Sequence, residues 1–87
     1  MAVIDVKADI GGVVWKIEVA IGTVVVEDDP ILILESMKME IPALAPRGGT
    51  VTEYLVAEGD IVREGQVIAR ITTQGRRSPA GKSGGRQ

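Results

Sequence analysis

The sequence predicts an all-β domain made of two similar halves, each with about four short strands. Shifting the 87-residue chain by 37 positions aligns residues 4–34 with residues 41–71 without a gap, and 11 of the 31 aligned pairs are identical. Glycine recurs too often for a helical period, and the apolar residues are mainly Val, Ile, Leu and Ala. Because a solenoid needs at least three repeats, two copies indicate a closed domain, either a small sandwich or a flattened barrel.

Each element of the first half is bounded by turn residues that recur in the second half. In chain order the first half has a break at Gly11-Gly12, a strand over residues 13–20, a turn at Gly22-Thr23, a strand over residues 24–26, a turn over residues 27–30 and a strand over residues 31–34. The matching turns of the second half lie at Gly48-Gly49, Gly59-Asp60 and residues 64–66. The two halves are therefore predicted to be related by a pseudo-twofold axis.

The face of the sheet on which Trp15 lies is left open by the pattern. An uninterrupted strand would bury Trp15 together with Val13, Ile17 and Val19. The matching positions of the second half include Thr50 and Thr52, which fit a solvent-exposed face equally well.

Composition excludes several classes of function. The chain has no Cys and no His, which removes thiol nucleophiles, disulfides, imidazole catalysis and most zinc sites. With one Trp, one Tyr and no Phe it offers almost no platform for stacking nucleic-acid bases. No apolar run reaches the roughly 20 residues that span a bilayer, and the start resembles no signal peptide. We therefore expect a cytoplasmic protein that binds neither nucleic acid nor membranes.

Charge divides the chain into two parts. All 12 acidic residues and six of the ten basic residues lie in residues 1–73, which are predicted to form the domain with a net charge of −6. Residues 74–87 carry four basic residues and no apolar side chain larger than Ala, and are predicted to be a disordered basic tail. Within it, Gly81-Lys82-Ser83 is similar to the end of a phosphate-binding loop, but Arg76 stands where that loop needs Gly.

One segment is not duplicated by the repeat. Glu35-Ser36-Met37-Lys38-Met39-Glu40 lies at the seam between the halves, between the apolar runs 30–34 and 41–44. Strands separated by so few residues predict a tight hairpin with Lys38 at its tip. Most exposed lysines only face water, but Met37 and Met39 stand where Asn, Gly or Asp would suit such a turn. Because local rules tend to be broken at functional sites, Lys38 is the candidate functional residue.

The chemistry of Lys38 favours modification over catalysis. An exposed lysine is protonated at neutral pH and is a poor nucleophile, and no basic cluster or deep pocket is predicted beside it. Asp28-Asp29 lies in a predicted solvated turn and makes a poor metal site. We therefore expect a non-catalytic protein whose lysine is modified by another enzyme.

Residues 35–40 closely resemble the Glu-Ala-Met-Lys-Met attachment motif of biotin carboxyl carrier domains. The likeness covers residues 3–72, including residues 12–14, 49–51, 59–62 and 65–68. Ser36 replaces the commoner Ala, Thr23 stands where an acid is usual, and Asp28 stands where the second half has Gly65. The gap-free repeat leaves no room for the protruding thumb of some carriers. The resemblance therefore implies a thumbless barrel-sandwich hybrid, a flattened β-barrel with its hairpin carrying Lys38.

The resemblance also implies a function. A biotin protein ligase would attach biotin to Lys38 through its adenylate, with Met37, Met39, Ser36 and Glu35 as recognition or turn residues. The domain, monomeric in isolation, would carry a carboxyl group from a biotin carboxylase to a carboxyltransferase. The acceptor would be an acyl-CoA, such as acetyl-CoA in fatty acid synthesis, or a keto acid. Two alternatives stay open: a lipoyl carrier, whose motif is usually Asp-Lys-Ala, and an unmodified adaptor module.

Overall fold

Eight strands make up the part of the chain that the computed structural model describes, residues 2–73. In chain order they are β1 (Ala2–Lys7), β2 (Gly12–Ile17), β3 (Val24–Val25), β4 (Pro30–Ser36), β5 (Met39–Leu44), β6 (Gly49–Tyr54), β7 (Ile61–Val62) and β8 (Val67–Thr73). None of these residues forms a helix that could cross a membrane. The predicted basic tail lies outside the described residues.

The strands form two four-stranded antiparallel sheets. One sheet has the order β1-β8-β6-β3 and the other has the order β5-β4-β2-β7. Adding 37 to the bounds of the first four strands gives the bounds of the last four, and the same operation converts one sheet order into the other. The predicted all-β architecture with two pseudo-twofold-related halves is therefore confirmed.

The two halves interlock, which the repeat did not predict. Each sheet takes two strands from the first half and two from the second, so neither half forms a sheet alone. The hairpin β4-β5 joins the halves across the seam, and Ala2 and Thr73, the first and last described residues, pair in the other sheet.

The core lies between the sheets and is aliphatic. Its largest fully buried side chains are Ile31, Leu32, Leu34, Ile68, Ile71, Val6, Val14, Val51 and Val62. Among residues 2–73 no charged or polar side chain is fully buried. Hydrophobic burial by this cluster is the main term that stabilises so small a domain.

A bulge decides the position of Trp15. Val14 pairs with Leu34 and Lys16 pairs with Ile33, so Trp15 is an extra residue in β2. The register then buries Val14, half-buries Ile17 and leaves Trp15 half exposed. The same shift occurs 37 residues later, between Val51 and Glu53. An uninterrupted alternation over residues 13–19 is therefore wrong.

Asp28 takes the place of a glycine without changing the turn. Its φ is 74°, and Gly65, 37 residues later, has a φ of 83°. Asp is one of the few residues that tolerate the left-handed region, since its short side chain can hydrogen-bond locally. The difference noted at this position therefore leaves the backbone geometry of the turn intact.

Tyr54 fastens a loop of the first half to β4. Its hydroxyl lies 2.8 Å from the carbonyl oxygen of Val19 and 3.2 Å from that of Ile31. The hydroxyl is the donor, since both partners are carbonyl oxygens, and partial burial raises the pKa of the Tyr54 phenol. The bond connects β6 to the start of the strand that leads to the hairpin.

Candidate functional site

The seam segment forms a hairpin with a two-residue turn. Ser36 ends β4, Met39 begins β5, and these two residues are the last pair of the ladder. Met37 and Lys38 make the turn with φ values of 52° and 67°. Positive φ at both central residues is the mark of a type I′ turn, whose twist matches that of the two strands. The predicted tight hairpin with Lys38 at its tip is therefore confirmed.

Met37 and Lys38 occupy turn positions whose backbone angles disfavour residues with these side chains. Type I′ turns favour Asn-Gly or Asp-Gly, because an L side chain in the left-handed region costs roughly 1–2 kcal/mol. Within residues 2–73, Asp28 is the only other non-glycine residue with positive φ. Strain of this kind is kept where the side chains themselves are needed.

All the predicted site residues meet at this hairpin, and their side chains are open to solvent. Met37 is 90% exposed, Met39 is 63% exposed, and Lys38 is also exposed. Ser36 is half-buried beside them. The two ion pairs found in residues 2–73 both belong to Arg70, so no carboxylate in that range holds the Lys38 amine. The amine can enter the active site of another protein.

Below the turn lies a pair of like charges. Glu35 and Glu40 are directly opposed on β4 and β5, and both are exposed. Like charges placed directly opposite each other destabilise a sheet. The pair gives the neck of the hairpin an acidic character beneath the single cationic residue at its tip.

Gly12 holds the hairpin to the body of the domain. A Cβ atom on Gly12 would collide with the carbonyl oxygen of Glu35 and lie 3.3 Å from the Cβ of Ser36. Only a glycine lets β2 approach the base of the hairpin so closely. Sequence reasoning missed this role, because it read Gly11-Gly12 only as a break. The recurrence of the pair as Gly48-Gly49 was the available signal, since Gly49 lies equally close to Thr72.

The weak metal candidate at Asp28-Asp29 gains no further ligands from the described residues. Residues 2–73 contain no cluster of three or more potential metal ligands. Asp29, part of the weak metal candidate, instead accepts a hydrogen bond of 2.9 Å from the backbone N–H of Val26 and so closes its turn. A cleft of about 380 Å³ is lined by Asp5, Lys7 and Asp28 among others, and by none of residues 35–40. What the hairpin presents to other molecules is one exposed amine between two exposed methionines.

Known proteins are similar to this chain in sequence and in fold. A family model described as "Biotin-requiring enzyme" matches residues 3–71. The chain is 42% identical over 67 residues to the biotin/lipoyl attachment protein of Bacillus subtilis, covering 77% of this chain and 92% of that protein. It is 41% identical over 68 residues to the biotinylated protein TB7.3 homolog of Mycobacterium leprae, covering 78% and 96%.

A solved structure shows the same fold inside a much larger protein. The crystal structure of Kluyveromyces lactis urea carboxylase matches with a TM-score of 0.78 and 30% sequence identity. The match covers 83% of this chain but only 6% of the carboxylase chain. The fold is therefore found both in small proteins of this length and as one domain of a carboxylase.

Proposed function

The chain belongs to the family of biotin- and lipoyl-attachment domains, and we propose that Lys38 is the residue through which it carries biotin. The chain is a non-catalytic biotin carboxyl carrier, related to the carrier domains of biotin-dependent carboxylases. The observation that carries the assignment to Lys38 is the strained two-residue turn that presents its amine between two exposed methionines.

The residues of the hairpin fit covalent attachment. The Nζ atom of Lys38 would form an amide with biotin that the ligase has activated as its adenylate; Nζ gives up a proton, and AMP leaves with one carboxyl oxygen of biotin. Biotin held on Lys38 would supply a ring that can carry a carboxyl group, while the chain itself supplies only the attachment point. The chain keeps its attachment point exposed on a short, well-packed hairpin, and the tether raises the effective concentration of the carried group at each active site.

Two observations favour biotin over a lipoyl group. Met37 and Met39 flank Lys38, whereas lipoyl domains usually have Asp before their lysine and Ala after it. The Mycobacterium leprae relative is named as biotinylated, and the structural relative is a urea carboxylase. The name of the Bacillus subtilis relative covers both groups, so a lipoyl carrier is the second candidate.

The partners follow from the carrier role. They are a biotin protein ligase, a biotin carboxylase and a carboxyltransferase that acts on an acyl-CoA, such as acetyl-CoA, or on a keto acid. Met37, Met39, Ser36 and Glu35 are the residues proposed for recognition by the ligase. The domain works as a monomer in the cytoplasm. An unmodified adaptor is the alternative in which Lys38 has no role.

The carrier role is tested by following a labelled carboxyl group from bicarbonate to the biotinylated chain and then to an acyl-CoA. The biotinylated chain is incubated with a biotin carboxylase, MgATP and radiolabelled bicarbonate, and then with a carboxyltransferase and its acyl-CoA. We expect label on the protein after the first step and on the acyl-CoA after the second. The unmodified chain and Lys38→Arg serve as controls. A fully biotinylated chain that never acquires label would contradict the carrier role.

A further inference from the structure

The outer face of the sheet that carries Lys38 exposes apolar side chains next to the acidic pair of the hairpin. Glu40, Glu35, Val13 and Ile61 are directly opposed across four neighbouring strands, so their side chains lie in one row on one face. All four side chains are exposed, and Ile61 is exposed to 80%. The row is acidic at the hairpin and apolar on the other two strands.

Trp15 extends this face away from the hairpin. The bulge in β2 places Trp15 and Lys16 together opposite Ile33, which lies two residues before Glu35 and therefore on the same face. Trp15 is 50% exposed and Ile33 is half-buried. The lysine-side face consists of six residues: Val13, Trp15, Ile33, Ile61, Glu35 and Glu40.

The other sheet shows that the fold does not require apolar residues at the positions of Val13, Trp15 and Ile33, whereas Val24, the equivalent of Ile61, is also apolar and exposed. The positions equivalent to Val13 and Trp15 are Thr50 and Thr52, on strands of the same length and with the same bulge. The position equivalent to Ile33 is Arg70, whose guanidinium is paired with carboxylates of its own sheet. Polar residues therefore suit this backbone, and the lysine-side face exposes apolar surface that folding does not explain.

We propose that the lysine-side face is the docking surface for the enzyme that attaches the cofactor to Lys38, an inference that rests on the proposed function. The partner is a protein surface with an apolar centre for Val13, Trp15 and Ile61. Basic side chains at one edge of that surface face Glu35 and Glu40. Trp15, the largest side chain of the face, is its anchor.

The lysine-side face lies close to Lys38, which favours the attaching enzyme over the other partners of the domain as its occupant. The Glu35–Glu40 pair is the next pair after Ser36–Met39, roughly 7 Å from the turn at about 3.4 Å per residue. An enzyme that reacts with the amine itself must bring its catalytic atoms to Nζ, so its surface covers the neighbouring sheet. The inner face of that sheet is closed by the core, which leaves the lysine-side face. Enzymes that act on an attached cofactor meet it at the end of a flexible arm, so their surfaces need not cover the sheet next to Lys38.

The test replaces the two β2 side chains of the face by those that the other half carries. The full chain and Val13→Thr/Trp15→Thr are titrated as substrates of a biotin protein ligase with MgATP and biotin, and modification is followed by intact mass. The matched control, Thr50→Val/Thr52→Val, changes the equivalent positions of the other sheet. We expect KM for the Val13→Thr/Trp15→Thr chain to rise about tenfold with kcat within about twofold, and KM for the control to stay within about twofold.

A second measurement separates docking from reaction. Lys38→Arg offers no attachment site but keeps the face, so it should inhibit modification of the parent chain competitively. The same variant with Val13→Thr/Trp15→Thr should inhibit about tenfold less well. The inference would be overturned if Val13→Thr/Trp15→Thr left the KM of the parent chain and the inhibition by Lys38→Arg unchanged. A second result would also overturn it: the two substitutions convert a dimer into a monomer and leave KM unchanged. The face would then bind a second copy of the chain. If the parent chain gains no mass at all, the proposed function fails instead.

Discussion

The backbone of Gly12 lies directly against the carbonyl oxygen of Glu35, with no room for a methyl group between β2 and β4. Glu35 is one residue from the end of β4, so this contact fixes the base of the hairpin that presents Lys38. The contact makes Gly12 part of the site although its position in the chain is 26 residues from the lysine.

Gly12→Ala should destabilise the domain and slow the modification of Lys38. The new Cβ forces β2 away from β4, and overpacking of this kind typically costs about 1–3 kcal/mol. The free energy of unfolding in urea and the ligase rate at a temperature where the variant is folded measure the two effects. Gly11→Ala is the matched control, because a Cβ there finds only ordinary contacts and no positive φ. Equal stability of the two variants would refute the role given to Gly12.

Met37→Asn should stabilise the fold and impair the site. Asn tolerates the left-handed backbone at position 37, so unfolding should cost about 0.5–1 kcal/mol more. Loss of the exposed methionine should lower the ligase kcat/KM at the same time. Met39→Asn is the control for stability, since Met39 lies in a strand and should gain nothing. Thermal unfolding and ligase kinetics give both quantities; a variant unchanged in both would leave Met37 without a role in strain or recognition.

Gly65 should tolerate Asp better than Ala. No atom lies within 4 Å of a Cβ built on Gly65, so a substitution there meets only the cost of a φ of 83°. We expect Gly65→Ala to lose about 1–2 kcal/mol and Gly65→Asp roughly half of that, as at the equivalent Asp28. Urea unfolding in high salt, which screens the added charge, measures both. The equivalence of the two turns would be disproved by an Asp variant as unstable as the Ala variant.

The domain should lose stability in alkali as the hydroxyl of Tyr54 ionises. Its pKa is raised above the ordinary value of 10.0 by burial, so the folded state keeps a proton that the unfolded chain releases. This contribution to stability is present below about pH 10 and is lost as the pH rises through the folded pKa. Tyr54→Phe should lose about 1 kcal/mol at neutral pH and show a shallower alkaline decline than the parent. The parent has a single tyrosine, so its phenolate absorbance reports this group alone. Parallel declines in parent and variant would speak against a perturbed Tyr54.

The sequence predicted the number of strands and the hairpin, because turn residues and the repeat are local signals. It did not predict that each sheet takes strands from both halves, since strand pairing between β6 and β3 or between β2 and β7 leaves no local mark. Nor did it place Trp15, because a bulge changes the alternation without a distinctive residue. The close approach of Gly12 to Glu35 depends on the register of β2 against β4, which likewise leaves no local mark in the sequence.

The most direct test of the central claim is the intact mass of the chain after co-expression with a biotin protein ligase and biotin, measured beside Lys38→Arg. We predict a gain of one biotin less one water in the parent chain and no gain in the variant, which keeps the positive charge at the turn. A lipoyl-sized gain in cells that supply both groups would assign the domain to acyl transfer. Biotin on the Lys38→Arg chain, or a parent chain that stays unmodified, would contradict the account.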